Sequence, residues 1–350
     1  MPVVTRESLF RFAKTLLAAG GTDDFEARTV AESLVESNLR GHDSHGVMRI
    51  PFYLAGVKQG VLKSGARLTI LHDAPAMLVG DGGWGFGQVV ARELTELLIG
   101  RARDTGAAVG TLMHSAHIGR LGEYAELAAG QGMASLISAN THGAAQRVAP
   151  VGGKRPRLGT NPLCMGMPGG ESGPFVLDFG TSATAEGKVR VKKIAGQSVP
   201  EGWLLDPDGR PTTDPNQLYG DPPGTILPMG GNQAYKGFGL AFLIEMFCGA
   251  LSGGQCAYAD PPPPVGNCAF FLVIDPARGG MAEHLKSEVS ALENYVRGVP
   301  LIDGAAPITL PGDPERRTRE ERERDGIPLD DGNWNALVKL AGELGVPVPT

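Results

Sequence analysis

Two short polar turns carry most of the side chains in this chain that could move a proton or grip an anion. The first is Gly41-His42-Asp43-Ser44-His45-Gly46, with Arg49 four residues beyond His45; the second is His114-Ser115-Ala116-His117-Ile118-Gly119-Arg120. Imidazole, with an ordinary pKa of about 6.5, can accept or return a proton near neutrality. The neighbouring glycines let backbone approach a ligand closely, and a guanidinium can take a carboxylate or phosphate in a two-pronged bond. The pattern therefore points to acid/base and anion-binding chemistry. His45 is the acid/base candidate, and Arg49, one helical turn beyond it, would face the same site and bind a substrate carboxylate unless it is tied up in a surface salt bridge. His42 and His114 read as residues that orient partners or cap loops.

The elements that must place these turns can be read from spacing. Thr5 can cap a helix ending at Gly20-Gly21, and Asp23 can start another in which Ala27, Val30, Ala31, Leu34 and Val35 keep helical period up to Gly41. Ser44 then reads as the cap of a third helix carrying Val47, Ile50, Tyr53 and Leu54, which would set Ser44 and His45 at its positive end. Strands are expected at 76–79, 107–113, 134–139, 175–178 and 268–274, with helices at about 88–103, 119–130 and 237–251 between them. Further helices are expected at 282–296, 314–324 and 334–344. The fold class that follows is α+β (α/β): a helical domain formed by residues 1–75 together with 280–350, and a mixed-sheet domain over 76–279. Substrates of such enzymes commonly lie between domains.

Bulk properties narrow the function. At 350 residues the chain can bury about three quarters of its unfolded surface, as a globular enzyme does. A net charge of −6 without a basic stripe argues against nucleic acid as a partner. No apolar run is long enough to cross a bilayer and the first residues lack a signal-peptide core, so no membrane partner and a cytoplasmic location are expected. Cys164, Cys248, Cys256 and Cys268 form no C-x-x-C pair and read as reduced, inert thiols.

One glycine pattern invites a different reading. Gly80-Asp81-Gly82-Gly83-Trp84-Gly85 fits G-x-G-x-x-G after a strand, but Trp84 stands inside it and no strand with a terminal acid follows about twenty residues later. A Rossmann phosphate loop is not expected there.

The runs Gly41 to Val47, His117 to Gly122, Leu158-Gly159-Thr160-Asn161-Pro162, Asp178-Phe179-Gly180-Thr181-Ser182, Pro211 to Pro215, Tyr235-Lys236-Gly237 and Leu310-Pro311-Gly312 resemble, in order, those of the type 2 malate/L-lactate dehydrogenase family. The stretches Gly249 to Gly254 and Thr318 to Leu329 are most similar to its hydroxycarboxylate dehydrogenase branch. The resemblance implies a non-Rossmann domain binding NAD or NADP, a homodimer, and a small 2-hydroxy or 2-oxo acid as substrate. It implies that Ser44 orients His45 or extends its proton path, where the residues alone allow a plain helix cap. His117 takes the position of the proton acceptor in ureidoglycolate dehydrogenases, or else lines the nicotinamide pocket. Thr160 would reach the substrate or satisfy only backbone, and Lys188 would bind a second anionic group or merely solvate its loop. The implied cofactor contacts are His45, Gly119, Arg120, Leu121, Asp178, Phe179, Gly180, Lys236, Asn267, Gly312, Asp313, Pro314 and Glu315. Gly119, Arg120 and Leu121 open a helix whose exposed amides and positive end would suit phosphate oxygens.

Alternatives remain at this level. Cyclic imino acid reductases of the same family complete a Ser-His relay with a carboxylate where this chain has Lys188, which places reduction of an imine behind hydroxy acid/oxo acid exchange; reduction of a diketo sugar acid is a further alternative. In a different class, His42-x-x-His45 and His114-x-x-His117 could serve a zinc-dependent hydrolase. No carboxylate completes an H-E-x-x-H arrangement, and Arg49 and Arg120 would repel the metal, so no metal is expected.

Overall fold

A computed structural model describes residues 1–170 and 172–349. The first two helices start where their caps dictate. Thr5 accepts a hydrogen bond from the Ser8 amide at 3.3 Å and Asp23 from the Glu26 amide at 2.7 Å, opening α1 (Arg6–Ala19) and α2 (Asp24–Leu39).

The third helix begins later than its spacing suggests. Residues Asp43–His45 and Val47–Arg49 form two 3₁₀ turns, and α3 runs over Ile50–Lys58 with Pro51 in its first turn. Ser44 is therefore not a helix cap; its hydroxyl faces the His45 ring instead. Asn38, near the end of α2, imposes this shape by accepting from the Val47 amide at 2.9 Å and donating to Asp43 at 2.7 Å. Gly46 has to be glycine, because a Cβ there would overlap the Asn38 side-chain amide.

The main sheet contains β2 (Thr69–Ala74), β3 (Met77–Asp81), β4 (Ala107–Ser115), β5 (Ala134–Ala139), β6 (Pro162–Met167) and β7 (Phe175–Gly180). Helices α4 (Gly87–Thr105) and α5 (Gly122–Ala129) follow β3 and β4, and α6 (Glu186–Ile194) follows β7. The short strands β8 (Leu204–Leu205), β9 (Pro211–Thr212) and β10 (Thr225–Ile226) make a separate small sheet, after which α7 (Tyr235–Glu245) leads to β11 (Asn267–Ile274). The seven strands run in the order β2-β3-β4-β11-β5-β6-β7, with β3 and β4 parallel and the other pairs antiparallel. Strand β11 shows the two-residue alternation that builds both cores. Ala269, Phe271 and Val273 pack under α4 and α5 with Leu94, Tyr124 and Ile137, whereas Cys268 and Phe270 pack with Ile244 and Cys248.

Elements absent from the sequence reading have weak local signals. Strand β2 is an edge strand with mostly exposed side chains, β6 opens on a proline, the small strands are two residues long, and α6 buries Val189 alone.

The chain ends come together. Strand β1 (Val3–Val4) pairs with β12 (Ile327–Pro328), which lies between α9 (Asp313–Asp325) and α10 (Asp331–Leu344). Leu9, Leu16, Leu34, Ile50, Tyr53 and Leu337 share one apolar core, to which α8 (Ala282–Arg297) contributes no residue. Arg322 of α9 grips both Asp43 oxygens at 2.7 and 3.1 Å, tying the C-terminal part to the first histidine turn.

The glycine run between β3 and α4 serves close packing. The amides of Gly82, Gly83, Trp84 and Gly85 are bonded to Met113 O, Asp81 Oδ1, His114 O and Gly82 O, which leaves none of these four to hold a phosphate. Gly87, at the start of α4, lies so near the carbonyls of Ala116 and His117 that a methyl group could not fit. Gly87→Ala is expected to destabilise the fold by about 1–3 kcal/mol through overpacking and to shift the His117 turn. Urea denaturation measures the first effect; an unchanged midpoint would contradict this reading of the contact.

Candidate active site

The two histidine turns meet. The rings of His45 and His117 stack with centroids 5.5 Å apart and planes at 20°. Ser44 Oγ lies 3.0 Å from His45 Nδ1, and Tyr53 of α3 places its hydroxyl 2.8 Å from His117 Nδ1. Arg49 donates through Nε to the Ser44 carbonyl at 2.7 Å, which directs its guanidinium along the same turn. Both imidazoles are enclosed by neighbours yet keep a partly exposed edge.

Their environment holds both rings neutral. Burial, followed by the Arg49 charge and then by His42 and Arg120, lowers the His45 pKa to about 3. Burial, Arg49 and His45 likewise push His117 well below its ordinary value. A positive charge on one ring thus opposes one on the other.

Several residues expected at a cofactor site also converge. Asp178, on β7, accepts from the Gly122 amide at 2.7 Å, so it joins the Gly119-Arg120-Leu121 turn to the Asp178-Phe179-Gly180 strand end. Glu315, in the first turn of α9 after Gly312-Asp313-Pro314, lies 3.3 Å from His42 Nε2. His42, Arg120 and Glu315 all act on the Asp178 carboxyl, although burial dominates and raises its pKa. The expectation of a free Arg120 guanidinium for phosphate is corrected here. Asp178 occupies the Gly122 amide, and Arg120, 3% exposed, is bound at both terminal nitrogens by Glu126 at 3.1 and 2.7 Å. Asp313 is likewise held by Arg297 and Arg316, which drives its pKa down.

Other expected residues stand apart or act as braces. Asn267 accepts from the Ile118 amide at 3.0 Å and donates to Asn140 O at 2.6 Å, so it fixes the turn behind His117. Thr160 offers its carbonyl to Thr181 at 2.9 Å beside Gly180. Lys188 is exposed on α6, whose Gly187 faces the Ser44 side chain. Lys236, at the start of α7, lies 5.9 Å from its neighbour Tyr235's ring and makes no contact with the histidine turns among the described hydrogen bonds. The H-x-x-H pairs do not converge on a metal: His42 turns to Glu315 and His114 to Asp81 at 3.0 Å. Among the described residues no group of three or more His, Cys, Asp or Glu side chains is placed to hold an ion. A cavity of about 330 Å³ is lined by Arg40, Arg92, Arg120, Glu123 and Glu126, and these arginines are already paired with carboxylates. The four cysteines are free, and burial raises the Cys268 thiol to about 11, in keeping with inert thiols.

Two residues of the site escaped the sequence reading. Tyr53 lies four residues after Arg49, a spacing that puts both on one helix face, yet its apolar neighbours marked it as core. Gln88 donates to Tyr53 Oη at 2.7 Å from the first turn of α4 and has no local signal at all.

No helix among the described residues is long and apolar enough to cross a membrane. Residues 4–338 match the family described as malate/L-lactate dehydrogenase. Hydroxycarboxylate dehydrogenase B of Escherichia coli O157:H7 is 38% identical over 348 residues, 98% of this chain and 95% of that one. Sulfolactate dehydrogenase from Methanocaldococcus jannaschii superposes with a TM-score of 0.88 at 32% identity, covering 99% of this chain and 98% of the other. Delta1-piperideine-2-carboxylate reductase from Pseudomonas syringae pvar. tomato superposes at 0.83 with 29% identity, covering 97% and 100%. An ordered set of histidine, arginine and glycine turns, a seven-stranded mixed sheet and a match over nearly the whole length agree: the chain belongs to the malate/L-lactate dehydrogenase family of oxidoreductases.

Proposed function

We propose that the protein interconverts a 2-hydroxycarboxylate of malate, lactate, hydroxyglutarate or aryl-lactate type and its 2-oxo acid with NAD or NADP, using His45 as the acid/base. The observation that carries this is the meeting of His45, His117 and Arg49 from two distant turns. Arg49, which forms no salt bridge among the described residues, is the natural partner of the substrate carboxylate. Ser44 Oγ lies 3.0 Å from Nδ1, and in the tautomer that gives Nδ1–H to Ser44, His45 would present a free Nε2 lone pair to the substrate hydroxyl. Thr160 and Lys188 are proposed to complete the substrate pocket.

The residues present fit a nicotinamide nucleotide. The Asp178 and Glu315 carboxylates are acceptors suited to sugar hydroxyls, and the buried Arg120 Nε near them has no partner. Gly119, Leu121, Phe179, Gly180, Lys236, Asn267 and Gly312 to Glu315 are proposed to frame that site on the non-Rossmann sheet domain, residues 76–279, facing the helical domain of residues 1–75 and 280–350. A nicotinamide bound there would supply the hydride exchanged with C2 of the acid. The imine reductase reading has less support, because Lys188 cannot replace a carboxylate in a relay and Glu186, the acid nearest in sequence, is bound by Tyr219 at 2.7 Å.

A spectrophotometric screen of NADH and NADPH with 2-oxo acids tests the proposal, and no turnover of any of them would end it. His45→Ala should lower kcat about 10²–10⁴-fold while cofactor binding survives.

The neutral state of His45 carries its own expectation. Since its proton leaves at about pH 3 in the free protein, NMR of the ring nitrogens should find it neutral from pH 8 down to 5. A carboxylate ligand such as oxamate, by neutralising Arg49, should move the midpoint upward. A free ring titrating near its ordinary value would contradict the site geometry.

The exposed row Phe242, Leu243, Met246, Phe247 and Leu251 along α7 and the π turn after it supports a homodimer. Light scattering should give twice the chain mass, and Phe247→Glu should shift the protein toward monomer; a wild-type monomer at micromolar concentration would refute this.

A further inference from the structure

The Tyr53 hydroxyl stands between two groups that fix its direction. Gln88 Nε2 lies 2.7 Å from it and His117 Nδ1 2.8 Å from it, and Tyr53 and Gln88 are 1% and 0% exposed. An amide nitrogen only donates, so Tyr53 accepts from Gln88 and gives its single proton to His117 Nδ1. Turning the amide over would leave both of its buried N–H groups without partners, whereas the present arrangement leaves one N–H and Gln88 Oε1 without one. Orphaned donors are the rarer outcome in proteins. The amide is also held in place: Gly87 brings the start of α4 against the His117 backbone, and Gly119 leaves room for the Gln88 side chain.

A neutral imidazole that accepts at Nδ1 carries its proton at Nε2. We propose that Tyr53 and Gln88 are positioning residues that lock His117 as the Nε2–H tautomer, so that His117 serves only as a hydrogen-bond donor to the substrate oxygen and the proton is exchanged at His45. The assignment of roles rests on the dehydrogenase reading; the tautomer does not. During oxidation the hydroxyl proton passes to His45, and during reduction it returns from there. His117 keeps its Nε2 proton throughout and stabilises the negative charge that gathers on the oxygen. Tyr53 does not relay protons, since burial raises its pKa to about 12.

The test begins with ¹⁵N NMR of the ligand-free protein. His117 should show an unprotonated Nδ1 and a protonated Nε2. Tyr53→Phe keeps the ring and its edge contact with Phe86 at 6.1 Å while removing the hydroxyl, and should yield a mixture of His117 tautomers. With a 2-oxo acid that the wild type reduces, kcat should fall about 10–100-fold. KM for the acid should stay within about threefold and the cofactor Kd should not change, a pattern that general loosening of the core would not produce. Gln88→Met, which frees the hydroxyl to accept from Nδ1–H, should give the same mixture and decides the matter if Tyr53→Phe does not fold. A protonated Nδ1 in the wild type, or variants with unchanged tautomer and kcat, would overturn the proposal. A wild type that turns over no oxo acid overturns the assigned roles and the dehydrogenase reading together, and leaves the tautomer to the NMR result.

Discussion

The hydrogen bond between Tyr53 and His117 joins two bodies of structure that sequence keeps 64 residues apart. Tyr53 belongs to the core built from α1, α2, α3 and α10, and His117 follows β4, whose Leu112 belongs to the core beneath the sheet helices. Phe86, Val89 and Ala116 also pack into the first core, so the start of α4 and the second histidine turn are held by the helical layer. Because both rings are anchored to packed backbone, their spacing is set by close-packed side chains and not by loop preference. The site lies where the two layers meet.

Charge at this junction is unbalanced in a way that suits an anion. Arg49 and Arg120 lie near two neutral imidazoles, and the acids around them are committed: Glu126 to Arg120 and Arg40, Glu123 to Arg92, Asp43 to Arg322. Arg49 alone of these cations lacks a carboxylate among the described residues. A carboxylate bound beside Arg49 would offset that charge and ease protonation of His45.

Close approach of backbone is the other recurrent device. Gly46 admits the Asn38 amide, and Gly87 admits the Ala116 and His117 carbonyls, each at a place where one methyl group would push a histidine turn out of position. The Gly80–Gly85 run resembles a phosphate loop, yet the amides of residues 82–85 face the strand carbonyls of Met113 and His114 or atoms of their own turn. Glycine here permits tight packing between strand and helix.

The sequence alone determined the polar turns, the helix caps at Thr5 and Asp23, the principal strands and the family, because capping, period and ordered motifs are local properties of neighbouring residues. It also contained His45, His117 and Arg49 as a set. It did not determine the 3₁₀ geometry of residues 43–49, which Asn38 imposes from the preceding helix, nor the commitment of Arg120 to Glu126. Tyr53 and Gln88 became part of the site only in the folded chain. A hydrogen bond between residues dozens of positions apart leaves no trace in spacing, and only the packing of α3, α4 and the turn after β4 decides which atoms are near enough to share a proton.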